Sequence, residues 1–163
     1  MNIELRYQQV SDAERFYEIL SNSTFKNFGV QPENIEAEIE YLKTNDERLK
    51  RGEHNYTICH NNIIVGGCGI KLNQHYKHIA ALGYFVDTNY QGKGIATKAV
   101  ELMENIAFNE FGVIRFELRI SEFNIASQRV ADKCGFVREG FLKKGIKVTD
   151  GFRDVYLYAK IKK

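Results

Sequence analysis

The sequence predicts a mixed α+β fold: a central sheet with helices packed against it. Two observations carry this. Runs of period-two and period-3.6 hydrophobicity alternate from one end of the chain to the other. A glycine-containing loop, Gly92-Lys93-Gly94, also leads from an apolar strand into the longest amphipathic run. At 163 residues, 44% of them hydrophobic, the chain fits one core, and residues 1–163 are expected to form a single domain.

Glu4 to Gln9 alternates weakly and reads as a first strand. Ser11 or Asp12 suits the cap of a following helix that turns Phe16, Ile19 and Leu20 inward. Residues 21–31 read as a loop, although they carry Phe25, Phe28 and Val30. A second helix is expected to start near Pro32, with Ile35, Ile39 and Leu42 at helical spacing. Asn55 to His60 and Ile63 to Leu72 read as a hairpin around Asn61-Asn62, the second strand interrupted by Gly66, Gly67 and Gly69. A further strand spans Ile79 to Val86. The long helix covers Gly94 to Asn109, with Ile95, Ala99, Leu102, Met103 and Ile106 on one face. Ile114 to Ile120 is a strand and Asn124 to Lys133 a helix ended by Gly135. Two strands, near Phe136 to Lys144 and Phe152 to Ile161, complete the order, joined through Asp150-Gly151.

Composition narrows the function classes. A net charge of +2 offers little to a phosphate backbone, so no nucleic-acid partner is expected. The opening MNIELRYQQV has neither a basic start nor a long apolar stretch, and no run approaches the ~20 apolar residues of a membrane span. A cytoplasmic protein without a membrane partner is expected. Cys59, Cys68 and Cys134 form neither a disulfide framework nor a zinc pattern and read as small buried hydrophobes. His54, His60, His75 and His78 lack metal-site spacing, so no metal is expected.

The loop before the long helix is where the chemistry concentrates. Main-chain N–H groups at a helix start have no partner within the helix and sit at the positive end of its dipole. Gly92, Gly94 and small Ala96 would let an anion approach them, which suits a phosphate or diphosphate. A P-loop fails twice: Asp87 stands where its first glycine belongs, and Gly94 where Ser or Thr should follow Lys93. The dinucleotide fingerprint fails at Thr97. By themselves the glycines are equally consistent with a plain eased helix start.

The wording around the loop is more specific. Tyr90-Gln91-Gly92-Lys93-Gly94-Ile95-Ala96 resembles the acetyl-CoA-binding signature of the GNAT N-acetyltransferases, Gln-x-x-Gly-x-Ala at its centre. Leu82-Gly83-Tyr84 is similar to the strand before it in that family. Asn124-x-x-Ser127, Val130 to Phe136 and Arg138-Glu139-Gly140 resemble its last helix and following strand. Asp150 to Ala159 is similar to the RimJ/RimL branch, which acetylates N-terminal amines of ribosomal proteins.

The resemblance implies a GNAT-type, mostly antiparallel sheet splayed between two strands, with about four helices. It implies acetyl-CoA as co-substrate, the diphosphate on the amides of Gln91, Gly92, Lys93, Gly94, Ile95, Ala96 and Thr97. The pantetheine arm would lie beside the strand that ends with Phe85 and Val86, and a main-chain N–H near Phe85 would polarise the thioester carbonyl. A neutral amine would attack directly, in a ternary complex. In many relatives a Tyr on the last helix protonates the leaving thiolate; here that position is Ala131. The RimL-like members instead resemble this chain at Ser127, whose hydroxyl would bind the sulfur, with Asn124 against the pantetheine. Both residues also suit a helix start, so capping stands as the alternative reading.

The familiar carboxylate bases match Ala81 and Ile146 here. Glu117 and Glu122 remain, each either a base or a surface residue. Deprotonation at pH 7 costs about 4.6 kcal/mol for a lysine amine and only about 1–1.4 kcal/mol for an N-terminal amine. A weak base therefore favours a protein N-terminal α-amine as acceptor. A small amine such as a polyamine or aminoglycoside, or a non-catalytic acyl-CoA-binding module, is the alternative. Glu33, Glu36, Glu38, Glu40, Asp46 and Glu47 crowd the second helix, either as a solvated face or as an attraction for a cationic acceptor. Phe25, Phe28 and Tyr84 are candidate acceptor-pocket walls, or core. Monomer and homodimer are both compatible with the sequence.

Overall fold

A computed structural model describes all residues, Met1–Lys163. Its centre is one seven-stranded sheet in the order β1-β2-β3-β4-β5-β7-β6. The strands are β1 (Ile3–Tyr7), β2 (Glu53–His60), β3 (Ile63–Leu72), β4 (Ile79–Val86), β5 (Arg115–Ser121), β6 (Val137–Val148) and β7 (Gly151–Ile161). All neighbours are antiparallel except β4 and β5. That parallel pair is joined by the crossover helix α4 (Ile95–Asn105), which parallel neighbours require.

The α4 face holds the main core. Ile95, Ala99, Val100 and Met103 are buried against Val65, Ile70, Ala80, Leu82, Phe116 and Leu118. α4 continues as a single π-helical turn, Ile106–Glu110, so the expected helix runs one residue further than its periodicity suggested. On the other face lie α1 (Ala13–Leu20) and α2 (Ile35–Lys43), where Ala13, Phe16 and Leu42 form a smaller cluster against Ile39, Ile64 and Phe85.

Five α-helices are present rather than about four. The expected second helix breaks at Thr44, and Asn45–Lys50 forms the separate helix α3, which carries Asp46 and Glu47 away from α2. Pro32 does not start α2. Asn34 caps it, its side chain accepting from the Ala37 N–H at 2.7 Å. Residues 23–27 of the expected loop form a 3-10 turn that buries Phe25. The Asn61-Asn62 hairpin is as expected, with both residues at positive φ (49° and 65°), as its tight turn demands.

Asp12 precedes α1 but does not cap it. Its buried carboxylate accepts from Arg6 at 2.7 and 2.8 Å, from the Thr57 hydroxyl at 2.6 Å and from the Gln9 N–H at 3.0 Å. Burial pushes this carboxyl up, but the hydrogen bonds from Arg6, Thr57 and Gln9 outweigh it and hold it below the ordinary range. A depressed folded-state pKa gives stability that is whole above the unfolded value, near ~3.9, and lost as pH falls through the folded value. Asp12→Ala should destabilise the fold at neutral pH by about 2 kcal/mol. Urea titrations from pH 7 down to pH 2 should show that difference narrowing on the acid side.

Candidate active site

β4 and β5 share hydrogen-bonded register only from Ile79↔Arg115 to Leu82↔Leu118. Beyond that point β5 keeps pairing with β7 as far as Ser121, while β4 continues alongside β3 to Val86. The two strands part, and a cleft opens between them. It runs into a cavity of about 1170 Å³ that reaches from the Gly92–Thr97 loop to the inner faces of α1 and α2. A smaller pocket of about 130 Å³ sits in the fork itself, lined by Gly83 and Tyr84 of β4, Leu118–Ser121 of β5, and Asn124 and Ser127.

At one end of the cleft lies the loop before α4. Gly92 and Gly94 have φ of 74° and 80°, values that side chains adopt only with strain. That path leaves the N–H groups of Gly92, Lys93, Gly94, Ile95, Ala96 and Thr97 without an acceptor in the protein; the first bond of α4 runs from the Lys98 N–H to the Gly94 carbonyl at 3.0 Å. A row of unpaired donors at the positive end of an eleven-residue helix fits a diphosphate. The Gln91 side chain ties the loop to the strand, donating to the Val86 carbonyl at 3.1 Å. Lys93 folds back, its Nζ donating to the Asn89 carbonyl at 3.1 Å and lying 5.0 Å from the centre of the Tyr90 ring. Buried Asp87 fixes the turn, accepting from the Asn89 N–H at 2.9 Å and pairing with Arg15 of α1.

In the fork, the Tyr84 hydroxyl donates to Ser127 Oγ at 2.9 Å. Tyr84 shares the α4-facing side of β4 with buried Leu82 and Val86, and so spans the gap to α5 (Ile125–Lys133). Burial pushes its hydroxyl up to about 12, against a smaller lowering by the Ser127 hydrogen bond. Both hydroxyls thus stay protonated near neutral pH, and Ser127 keeps its own proton to donate onward. Tyr84 borders both cavities, as a pocket wall would, while its hydroxyl reaches the α5 side of the fork. Asn124 is the N-cap of α5, its Oδ1 accepting from the Ser127 N–H at 3.1 Å, while it also lines the fork. Ser127, in the first turn, makes no cap bond.

Phe85 lies on the opposite face of β4, edge-on to Phe16 and Phe25 at ring distances of 5.4 and 6.4 Å. The Asp87 N–H donates to the Val65 carbonyl at 2.8 Å. Strand alternation then turns the Phe85 main chain toward β3, and the main chains of Tyr84 and Val86 toward the gap. The N–H expected to polarise a carbonyl near Phe85 is therefore that of Tyr84 or Val86. Phe28 borders both cavities, packed edge-on against Phe25 at 6.4 Å. Glu117 does not line either one. The carboxylate of this candidate base is held by Arg115 at 2.6 Å, outside both cavities.

One cleft carboxylate was not singled out by the sequence. Glu38 of α2 is 7% exposed and borders the large cavity. A signal existed: Glu38 stands within the Ile35, Ile39, Leu42 stripe, where helical spacing turns it inward.

A family model for the acetyltransferase (GNAT) domain matches residues 2–137. The chain belongs to the GNAT acetyltransferase family. As a GNAT N-acetyltransferase it is 28% identical, over 93% of its length and 90% of the relative's, to the probable N-acetyltransferase YjcK of Bacillus subtilis. It is 26% identical to the ribosomal-protein-serine acetyltransferase of Escherichia coli, over 80% of this chain and 75% of that one. Among solved structures, RimL, a ribosomal L7/L12 alpha-N-protein acetyltransferase in complex with coenzyme A, shares the fold with a TM-score of 0.87. It is 22% identical, with 99% of this chain and 94% of that chain covered. The loop residues and the unpaired amides of this GNAT domain fit the cofactor that such a relative holds.

Gly94→Val would force a β-branched residue to φ near 80° and crowd the approach to the loop amides. CoA affinity measured by calorimetry should fall at least about tenfold, the equivalent of ~1.4 kcal/mol. Circular dichroism should stay native.

Proposed function

We propose that this GNAT enzyme acetylates the N-terminal α-amine of a protein or peptide, using acetyl-CoA. The observation that carries this reading is the forked cleft, in which unpaired loop amides, the fork and an acceptor cavity form one continuous path. The amides of Gly92 to Thr97 would hold the diphosphate, and the open edges of β4 and β5 would pair with the amide groups of the arm. That arm supplies an acetyl group on a thioester sulfur. The N–H of Tyr84 or Val86 would polarise its carbonyl oxygen.

A neutral amine arriving from the α1–α2 side would attack the carbonyl carbon as the carbon–sulfur bond breaks. Ser127 would donate its hydrogen bond to the departing sulfur, and Tyr84 would in turn donate to Ser127. This pair takes the place of the Tyr that Ala131 lacks; Ala131 is fully buried in the core. No carboxylate with an evident role as base stands in the fork, which favours an acceptor that is cheaply deprotonated, such as an α-amine. The likeness to relatives named for ribosomal-protein serine and for L7/L12 α-amines supports the same choice.

Thiol release from acetyl-CoA, measured with N-terminal peptides, N-terminally blocked lysine peptides, polyamines and aminoglycosides, tests the reading. Unblocked peptides should give the highest kcat/KM. Faster turnover on lysine side chains or polyamines would overturn the acceptor assignment, and CoA binding without thiol release on any acceptor would overturn catalysis. Ser127→Ala should lower kcat by about 10- to 100-fold at near-constant KM for acetyl-CoA, the pattern of an interaction made mainly in the transition state. Tyr84→Phe should lower it less.

A further inference from the structure

The inner faces of α1 and α2 close over a glycine-rich stretch of the sheet. In the register Asn55↔Gly69↔Gly83, two of three residues are glycines, and Gly67 lies on the same face. Glu38 looks into this groove. It is 93% buried by its 7% exposure, yet its carboxylate has neither an ion pair nor a hydrogen bond to the protein, and neither oxygen is fully sealed from the cavity. Unpaired carboxylates at this depth are costly, and such groups are normally matched by a cation or a donor.

The surrounding groups do not supply that match. Arg48 of α3 is the nearby buried cation, but its guanidinium is committed to neutral partners: Tyr41 Oη at 2.7 Å, Thr44 Oγ1 at 3.1 Å, and Asn45. It also stacks on the Tyr41 ring at 3.9 Å. Glu53, the other carboxylate bordering the groove, holds Lys71 at 3.5 Å. Gln8 spends its Nε2 on the Tyr56 carbonyl at 3.3 Å, and Asn55 its Nδ2 on the Glu53 carbonyl at 3.5 Å. Burial raises the Glu38 carboxyl above its usual range, opposed only by the field of Arg48. Glu38 and Tyr41 of α2 border the same cavity as Glu53 and Asn55 of β2, and the Tyr41 hydroxyl feels both carboxylates.

That position sets a distance. Asn55 on β2 lies two strands from Gly83 at the fork, and strands are about 4.8 Å apart, so the β2 end of the cavity that Glu38 borders lies roughly 10 Å from the fork. We propose that Glu38 binds a second positive charge on the acceptor, so that the favoured substrate is a primary amine carrying another cationic group about 10 Å away. This rests on the acyl-transfer reading above and narrows its acceptor. Two sources offer that chemistry: a peptide N-terminus with a lysine or arginine among its first residues, or a small diamine.

The test pairs acceptors that differ only in the distal charge. One pair is Ser-Lys- and Ser-norleucine-initiated hexapeptides of otherwise equal sequence. The other is 1,7-diaminoheptane, whose extended chain sets its nitrogens about 10 Å apart, and heptylamine. Thiol release gives kcat/KM, and calorimetry gives affinity for the CoA-bound protein. At least one charged member should beat its neutral partner by about tenfold or more, mainly through KM or Kd. The preference should fall toward unity in Glu38→Gln and return in part in Glu38→Asp, with CoA affinity as the check that each variant is folded. A preference confined to the peptide pair identifies the peptide source; one confined to the amines identifies the diamine.

Equal treatment of both pairs by the native protein overturns the inference, as does an undiminished preference in folded Glu38→Gln. If charge discrimination in binding survives while no acceptor yields free thiol, the cation site stands and the acyl-transfer reading fails.

Discussion

The rest of the site depends on one loss of pairing, the parting of β4 and β5 beyond Leu82 and Leu118. A parallel pair cannot close with a short turn, and here the crossover carries the Gly92–Gly94 loop and α4. Because β5 stays paired with β7 to Ser121 while β4 stays with β3 to Val86, the fork is held open from both sides by intact ladders. The unpaired main chain of Tyr84 and the Val86 N–H is thus a standing feature of the fold, the Val86 carbonyl being taken by Gln91. Water or ligand must satisfy it, and an extended molecule with amide groups does so along its length.

Each end of the fork is pinned by a few side chains. At the loop end, Arg15 of α1 pairs with buried Asp87 and donates to the Ile64 carbonyl at 3.1 Å, joining the first helix to the turn that presents the amides. At the other end the Tyr84–Ser127 hydrogen bond crosses from β4 to α5. Between them, Gly66 lets β3 approach β4: a Cβ there would stand 2.1 Å from the Phe85 carbonyl oxygen. A Cβ at Gly67 would meet the Phe85 ring at 2.7 Å. The two faces of β4 therefore do different work. Tyr84 serves the α5 side, whereas Phe85 packs under α1 and Gly83 leaves space below α2.

Much of this is legible in the sequence itself. The Asn61-Asn62 turn, the succession of strands and helices along the chain and the glycines before α4 follow from backbone constraints local to a few residues, and local constraints are what a sequence displays. Three features were not legible because they depend on long-range partners. Asp12 reads as a cap until Arg6 and Thr57 claim its carboxylate from another strand. Tyr84 finds its hydrogen-bond partner in Ser127, 43 residues further along the chain, through the parity of β4. Glu38 disappears among acidic neighbours on α2, although its place in the apolar stripe distinguishes it; the charge count along the helix obscured the periodicity. The break at Thr44 is likewise hidden, since helical propensity continues through 45–50.

The central claim is that main-chain amides from Gly92 to Thr97 bind the diphosphate of CoA. Backbone amide resonances of labelled protein, followed by two-dimensional NMR as CoA is added, test it at the atoms concerned. The account predicts that these six amides shift furthest and exchange with solvent more slowly, whereas amides of β6 stay unchanged. Saturable CoA binding that left the loop resonances in place would contradict it.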